Sequence, residues 1–463
     1  MPDSNKRNIG GWFHLVKLAL SDKQYDFTTG SIRKAIFLLA IPMILEMCME
    51  SVFAIVDIFF VGKLGSNATA AVGLTESVLT IVYSLGFGIS MAATAMVGRR
   101  IGEKNNAQAS KSAAQAILLA IMLALLISLI GIFFAKPVLM LMGATNEVIA
   151  YGTTYAKIML TGNIVIMLLF LLNGIFRGAG DASIAMRSLW VANICNIILC
   201  PLLIHQFGLK GAAIATTTGR GIGVIYQLWH LWKGKGAIKI YLNNFLPDKK
   251  LLKSLLSLSS TVALQFIIGS ASWIAMARLM ANFGSSAVAG YTIAIRWIVF
   301  FLLPAFGLSN AAATLVGQNL GAKQPKRAED AVWKTARYNA IFMACVSLLF
   351  LTCAQFFVRI ITTEPAVVNT AVTALRIVSL GYIFYGVGMV MMNAFNGAGD
   401  SKTPTWVNFF WFWIFQIPLA YLLAIFFQWG AKGVFIAIVI AETAITITSV
   451  LLFKRGAWKL IKI

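Results

Sequence analysis

The 463-residue chain is 59% hydrophobic and 12% charged, with a mean hydropathy of +0.83. That balance excludes a soluble globular fold, because so much apolar surface could not all be buried. A net charge of +22 would suggest nucleic acid in a soluble chain; in a membrane protein the placement of the charge matters more than its sum.

The expectation is therefore a polytopic helical membrane protein with no nucleic-acid partner. Five cysteines (Cys48, Cys195, Cys200, Cys345, Cys353) all lie in apolar stretches, which argues against a disulfide framework. Three histidines (His14, His205, His230) have no second metal-type ligand at useful spacing, so no metal and no cofactor is expected. The opening stretch lacks the continuous apolar core of a cleavable signal peptide. Within it, Gly11–Leu20 has the pattern of a short amphipathic helix at the membrane interface, with Trp12 and Phe13 at headgroup level.

Twelve stretches of spanning length follow in chain order. The first six lie near 35–61, 70–97, 113–135, 148–173, 183–206 and 211–232. The second six lie near 254–282, 287–316, 336–358, 371–394, 402–427 and 432–453. This divides the chain into a segment 1–34, an N-lobe 35–232, a basic linker 233–253, a C-lobe 254–453 and a tail 454–463.

Basic residues set the orientation. Lys6, Arg7, Lys17, Lys23, Arg33 and Lys34 precede the first span, and Arg99, Arg100, Lys104 and Lys111 follow the second. The linker carries Lys233, Lys235, Lys239, Lys249, Lys250 and Lys253; Lys323, Lys326, Arg327, Lys334 and Arg337 follow the eighth span. The alternate connections hold single charges, so both termini are expected on the cytoplasmic side, with anionic lipid headgroups as the contact.

The first span, Pro42 to Gly65, carries three carboxylates: Glu46, Glu50 and Asp57. At ~100° per residue, Glu50 falls ~40° and Asp57 ~20° from Glu46, a single stripe roughly 16 Å long. Each acid at the bilayer centre costs at least ~2.5–3.5 kcal/mol, so the stripe needs a watery cavity or a partner, and protons or cations are its natural ligands. Structural carboxyls bonded to neighbouring helices are the other reading. Withdrawing a carboxyl from water favours its protonated form, which suits a group that loads and releases a proton.

The chain also repeats. Val97-Gly98-Arg99-Arg100-Ile101-Gly102-Glu103-Lys104 matches Val316-Gly317-Gln318-Asn319-Leu320-Gly321-Ala322-Lys323, an offset of 219 residues (97 to 316). At the same offset Arg177-Gly178-Ala179-Gly180-Asp181 matches Asn396-Gly397-Ala398-Gly399-Asp400, and Leu64-Gly65-Ser66 matches Phe283-Gly284-Ser285. Three anchors at one spacing indicate a duplicated 6+6 architecture, all-α, with parallel lobes related about the membrane normal. Glu46, Glu50 and Asp57 fall on Gln265, Gly269 and Met276, so the second lobe lacks the acidic stripe.

Together these features resemble the multidrug and toxic compound extrusion family (MATE transporters), in its prokaryotic branches, over about residues 30 to 455. The pieces that carry the resemblance are Val56-Asp57 followed by Gly62, the two Val-Gly-x-x-[Ile/Leu]-Gly-x-Lys elements, the paired Gly-Ala-Gly-Asp elements and Gly211-Ala212-Ala213-Ile214-Ala215-Thr216. The resemblance implies a V-shaped pair of six-helix lobes that exports organic cations and amphipathic drugs by alternating access, coupled to H⁺ or Na⁺. It also implies a monomer in the plasma membrane of a prokaryote. Asp57 is then the coupling residue, with Asn196 and Thr216 beside it. Where the family has a second aspartate in Asn-x-x-x-Asp-Pro, this chain has Cys200, whose neutral thiol offers Na⁺ no hard oxygen. H⁺ coupling is therefore expected over Na⁺, with Glu46 and Glu50 as further members of the site.

Gln265 and Arg296 are expected to line a substrate cavity in the C-lobe. Glu76 is placed near a membrane boundary in a capping or solvated role, and Glu442, near mid-membrane, is open to either a transport or a structural role. The Gly-Ala-Gly-Asp elements are read as structural turns and caps. Three other classes fit the sequence less well. A flippase for lipid-linked or polysaccharide precursors would favour extra spans and a basic cavity. An intramembrane enzyme lacks any His/Asp, Ser/Lys or metal-ligand cluster. A channel lacks a selectivity-filter pattern.

Overall fold

The computed structural model of the protein describes residues 9–21, 24–234 and 236–463, with side chains from residue 14 onward, Ile58 excepted. Trp12 and Phe13 are outside the described side chains, and Lys6, Arg7, Lys23 and Lys235 are outside the described residues.

A short helix α1 (Ile9–Ala19) occupies the expected amphipathic stretch. The N-lobe then runs through α2 (Ile32–Gly62), α3 (Ser66–Gly102), α4 (Asn106–Leu141), α5 (Asn146–Thr161), α6 (Asn163–Ala179), α7 (Ala182–Phe207) and α8 (Leu209–Lys233). The C-lobe runs through α9 (Lys249–Met280), α10 (Ser285–Gly321), α11 (Pro325–Arg359), α12 (Pro365–Ser379), α13 (Tyr382–Ala398), α14 (Lys402–Asn408), α15 (Ile417–Tyr421) and α16 (Ala431–Arg455). Among the described residues nine helical stretches are long and apolar enough to cross a membrane, and two bent pairs bring the count to eleven. The twelfth crossing is α8, whose Gly, Ala and Thr residues pack tightly on α7 and whose Arg220 is buried by its neighbours. The protein is an all-helical membrane protein of twelve transmembrane helices in two lobes.

Two spans read as continuous are broken. The fourth bends by 41° between α5 and α6, and the tenth by 59° between α12 and α13. The breaks fall at Gly162 and Gly381, which are themselves related by the 219-residue offset. The duplication extends to the backbone: Lys104 and Lys323 share φ of 58°, and Gly180 and Gly399 close their helices in left-handed geometry at 92° and 88°. The eleventh span differs from its N-lobe counterpart. It widens into π-helix over Phe409–Gln416 and Leu422–Phe426, on either side of α15.

Each lobe has its own core, and the lobes join crosswise: α2 packs on α10, and α9 packs on α3. The joint is closest next to the basic loops. A Cβ added at Gly102 would meet the carbonyl oxygen of Gln318 at 1.9 Å, and one at Gly321 would meet that of Arg99 at 2.1 Å. Two chain segments strap this end. Arg327 of the C-lobe donates to the carbonyls of Gly30 (2.9 Å) and Thr29 (2.7 Å). Arg99 and Arg100 of the N-lobe donate to the carbonyls of Ile461 (2.8 Å) and Ile463 (3.0 Å).

Candidate functional site

Helix α2 presents its acidic stripe to the interior of the N-lobe, but each acid meets different partners. Glu46 is fully buried, and its Oε1 accepts from Asn173 Nδ2 of α6 at 2.8 Å. Asn173 in turn accepts from Gln227 of α8, so three helices are tied at this point. Arg177, one turn further along α6, donates to the Asn173 carbonyl at 3.2 Å and to Ser90 Oγ at 3.3 Å. This is a polar layer in which a carboxyl, two amides and a guanidinium are held by one another.

One turn along α2, Glu50 forms an ion pair with Arg220 Nη2 at 3.1 Å. The guanidinium lies among the rings of Phe53, Tyr83 and Phe170 at 5.2, 5.9 and 5.8 Å. Removing a charge from water is costly unless it is paired, and stacking on aromatic faces supplies part of the return. Arg220 keeps Nε and Nη1 without hydrogen-bond partners, so its capacity to donate is only partly used.

Asp57 lies two turns beyond Glu50, half-buried, with Oδ1 enclosed and without a hydrogen-bond partner. Arg220, Glu76 and Cys200 are within its electrostatic reach. The Cys200 thiol is fully buried. Asn196 Nδ2 donates to Thr216 Oγ1 at 3.1 Å, which leaves Asn196 Oδ1 buried and unpartnered. The cluster therefore holds four carboxyls (Glu46, Glu50, Asp57, Glu76) against Arg177 and Arg220, with several oxygens not yet satisfied.

The placement of Glu76 corrects the sequence reading. Helix α3 begins at Ser66, four residues before the expected span, so Glu76 lies roughly 15 Å along it at ~1.5 Å per residue. Half-buried, it joins the Asp57 cluster and does not cap the helix. Arg296 is corrected as well: it is exposed, on the outer side of α10, and does not line the C-lobe cavity. Gln265 does line that cavity and accepts from Asn396 Nδ2 at 3.3 Å. The Gly-Ala-Gly-Asp elements close α6 and α13, and Asp400 accepts from the Thr403 amide at 3.3 Å.

Arg220, Asn173 and Gln227 were not singled out from sequence as site partners. Arg220 gave a signal, as a cation inside an apolar stretch, but nothing local paired it with Glu50, 170 positions earlier. Asn173 and Gln227 each sit on the buried face of their own helix, which is visible only once the helices are assembled.

A chain of two six-helix lobes, crossed at one end and carrying a buried acid cluster on the first helix of one lobe, has the form of a secondary transporter. It is a multi-pass membrane transporter and not an enzyme. The MatE family model matches residues 42–202 and 261–422, one stretch in each lobe, and the chain belongs to that family. A probable multidrug resistance protein NorM of Thermotoga maritima is 24% identical over 440 residues, covering 92% of this chain and 93% of that protein. The multidrug export protein MepA of Staphylococcus aureus is 24% identical over 437 residues, with 94% and 96% covered. Among solved structures, a MATE protein in complex with MaL6 superposes with a TM-score of 0.90 at 25% identity, covering 94% of this chain and 99% of its own. The outward-facing conformation of a multidrug resistance MATE family transporter gives a TM-score of 0.90 at 25% identity, with 95% and 100% covered.

Proposed function

We propose that this transporter exports organic cations and amphipathic drugs from a prokaryotic cell in exchange for inward-moving protons, with Asp57 as the coupling carboxyl. The observation that carries this reading is the setting of Asp57. Its Oδ1 is buried and unpartnered, and Cys200 beside it presents a thiol, which offers sodium no hard oxygen. Sodium needs several oxygen ligands at once, whereas a proton needs one carboxyl. The relatives named for multidrug resistance and export support the substrate class.

The mechanism follows from charge. Ionised, the Asp57–Glu76 cluster attracts a cation into the N-lobe; protonated, it attracts less, and the two occupants exclude each other. Exchange requires that the lobes favour different arrangements in the two protonation states. With the basic loops on the cytoplasmic side, the closure around Gly102 and Gly321 is a cytoplasmic seal, and the state is outward-facing. The protein works as a monomer in the plasma membrane with both termini cytoplasmic, its basic loops against anionic headgroups. Four carboxyls surround Arg177 and Arg220 in the N-lobe, and Arg220 is already ion-paired with Glu50, an acidic setting that disfavours the phosphate-bearing cargo of a flippase.

The test is proton release. Purified protein in unbuffered detergent solution should release protons on adding ethidium, and the Asp57→Asn variant should release fewer. Ethidium binding without any change in proton release between the two would overturn the reading.

A further inference from the structure

Beyond the N-lobe site, we infer that the C-lobe holds its own binding site for an organic cation, centred on Glu442; the inference rests on the proposed substrate class. Glu442 projects from the middle of α16 and is 8% exposed, yet it makes no hydrogen bond or ion pair with any described residue. It lines a cavity of about 250 Å³ between α9, α13, α16 and the π-helical segment. No other lining residue carries a formal charge, and Tyr385 is the titratable neighbour. A buried carboxyl without a partner is costly, so the site is built for something that arrives.

The rest of the lining says what arrives. Trp273, Phe306, Tyr385 and Phe412 supply aromatic rings to the lining, and Met389 and Met392 add polarizable, adaptable surface. Its amides are turned to accept. Asn396 spends its Nδ2 on Gln265 (3.3 Å) and Asn393 spends its own on Ser309 (2.7 Å). Buried Asn396 Oδ1 and Asn408 Oδ1 are left with no donor. The cavity is rich in acceptors and aromatic rings and holds no cationic side chain. Aromatic walls with one carboxylate suit a quaternary ammonium or aromatic cation, which brings charge without needing a full oxygen shell.

The sequence explains why the site is confined to the C-lobe. Under the 219-residue offset Glu442 falls on Gly223, and the π-helical widening that carries Phe412 has no counterpart in α7. Each lobe thus carries acids that the other lacks: the Asp57 cluster in one, Glu442 in the other.

The experiment measures binding of radiolabelled benzyltrimethylammonium to the full-length protein in nanodiscs, alongside ethidium efflux in cells. Glu442→Gln should weaken binding at least about 30-fold, the loss expected when one partner of a desolvated charge pair is removed. Glu442→Asp should recover part of that loss, and Arg296→Gln, outside the cavity, should bind as wild type. Unchanged binding in Glu442→Gln overturns the inference, as does displacement of the label by millimolar Na⁺ in the wild type with no effect of Trp273→Ala. If Glu442→Gln does not elute as a folded monomer, Trp273→Ala decides: weaker binding supports the site, unchanged binding overturns it. A wild type that exports ethidium while Glu442→Gln binds normally overturns the Glu442 site alone. A wild type that neither binds nor exports cations overturns the substrate class as well.

Discussion

Replacing Gly102 by alanine drives a methyl carbon into the opposite lobe. The added Cβ lies 1.9 Å from the Gln318 carbonyl oxygen and 2.7 Å from its carbon, both backbone atoms that cannot rotate away. Contact distances below 3.0 Å are not sustained, so the α3–α10 joint must open by at least about 1.1 Å, the difference between 3.0 and 1.9 Å. Overpacking of this kind costs about 1–3 kcal/mol. Charged against the sealed arrangement alone, that shifts its population relative to the open one by roughly 5- to 150-fold. Gly321→Ala repeats the insult from the other side against the Arg99 carbonyl, at 2.1 Å. Spin labels at Asn106 and Lys326, exposed at the starts of α4 and α11, report the separation by pulsed electron resonance in a cysteine-free background. Both alanine variants should broaden the distance distribution and move it outward. Gly62→Ala and Gly73→Ala, where nothing lies within 4 Å, should leave it unchanged. A Gly102→Ala distribution that matches wild type would refute the argument that this contact is what seals the lobes.

Arg220→Met should destabilise the protein by about 2–3 kcal/mol, below the usual 3–5 for breaking a buried pair because the Glu50 side chain is 21% exposed. Thermal unfolding in nanodiscs reads it, and adding Glu50→Gln should recover most of the loss; no recovery would mean that Arg220 is held by its rings alone. At Glu46, Glu46→Gln keeps an oxygen for the Asn173 amide and should stay within about 1 kcal/mol of wild type, whereas Asn173→Leu should cost about 1–3 kcal/mol by stranding buried polar groups. Equal losses in the two would contradict the hydrogen-bond assignment.

The spans, the repeat and the acidic stripe were legible because each is a local or periodic property of the sequence. Hydropathy marks a membrane-length helix whatever it packs against, and the 219-residue offset extended to φ angles at Lys104 and Lys323. What escaped depended on assembly. The bends at Gly162 and Gly381 lie inside apolar runs where composition does not change, and α-helical periodicity could not anticipate the π-turns over Phe409–Gln416. Arg220 is a cation inside an apolar run, but nothing local pairs it with Glu50, which lies 170 positions earlier. Glu76 was misplaced because its helix starts earlier than hydropathy alone suggests. Arg296 was placed inward from its position in a span, although the packed faces of α10 are set by neighbours far along the chain. Glu442 gained its meaning only when Gln265, Trp273 and Phe412 came together around one cavity.

The central claim is that Asp57 couples export to a proton gradient. Ethidium efflux from cells or everted vesicles, with proton and sodium gradients imposed separately on wild type and Asp57→Asn, tests it most directly. Wild-type efflux should follow the proton gradient and ignore sodium, and Asp57→Asn should lose the proton-driven efflux. Sodium-driven efflux that is unchanged across pH, or efflux that survives Asp57→Asn, would contradict the account.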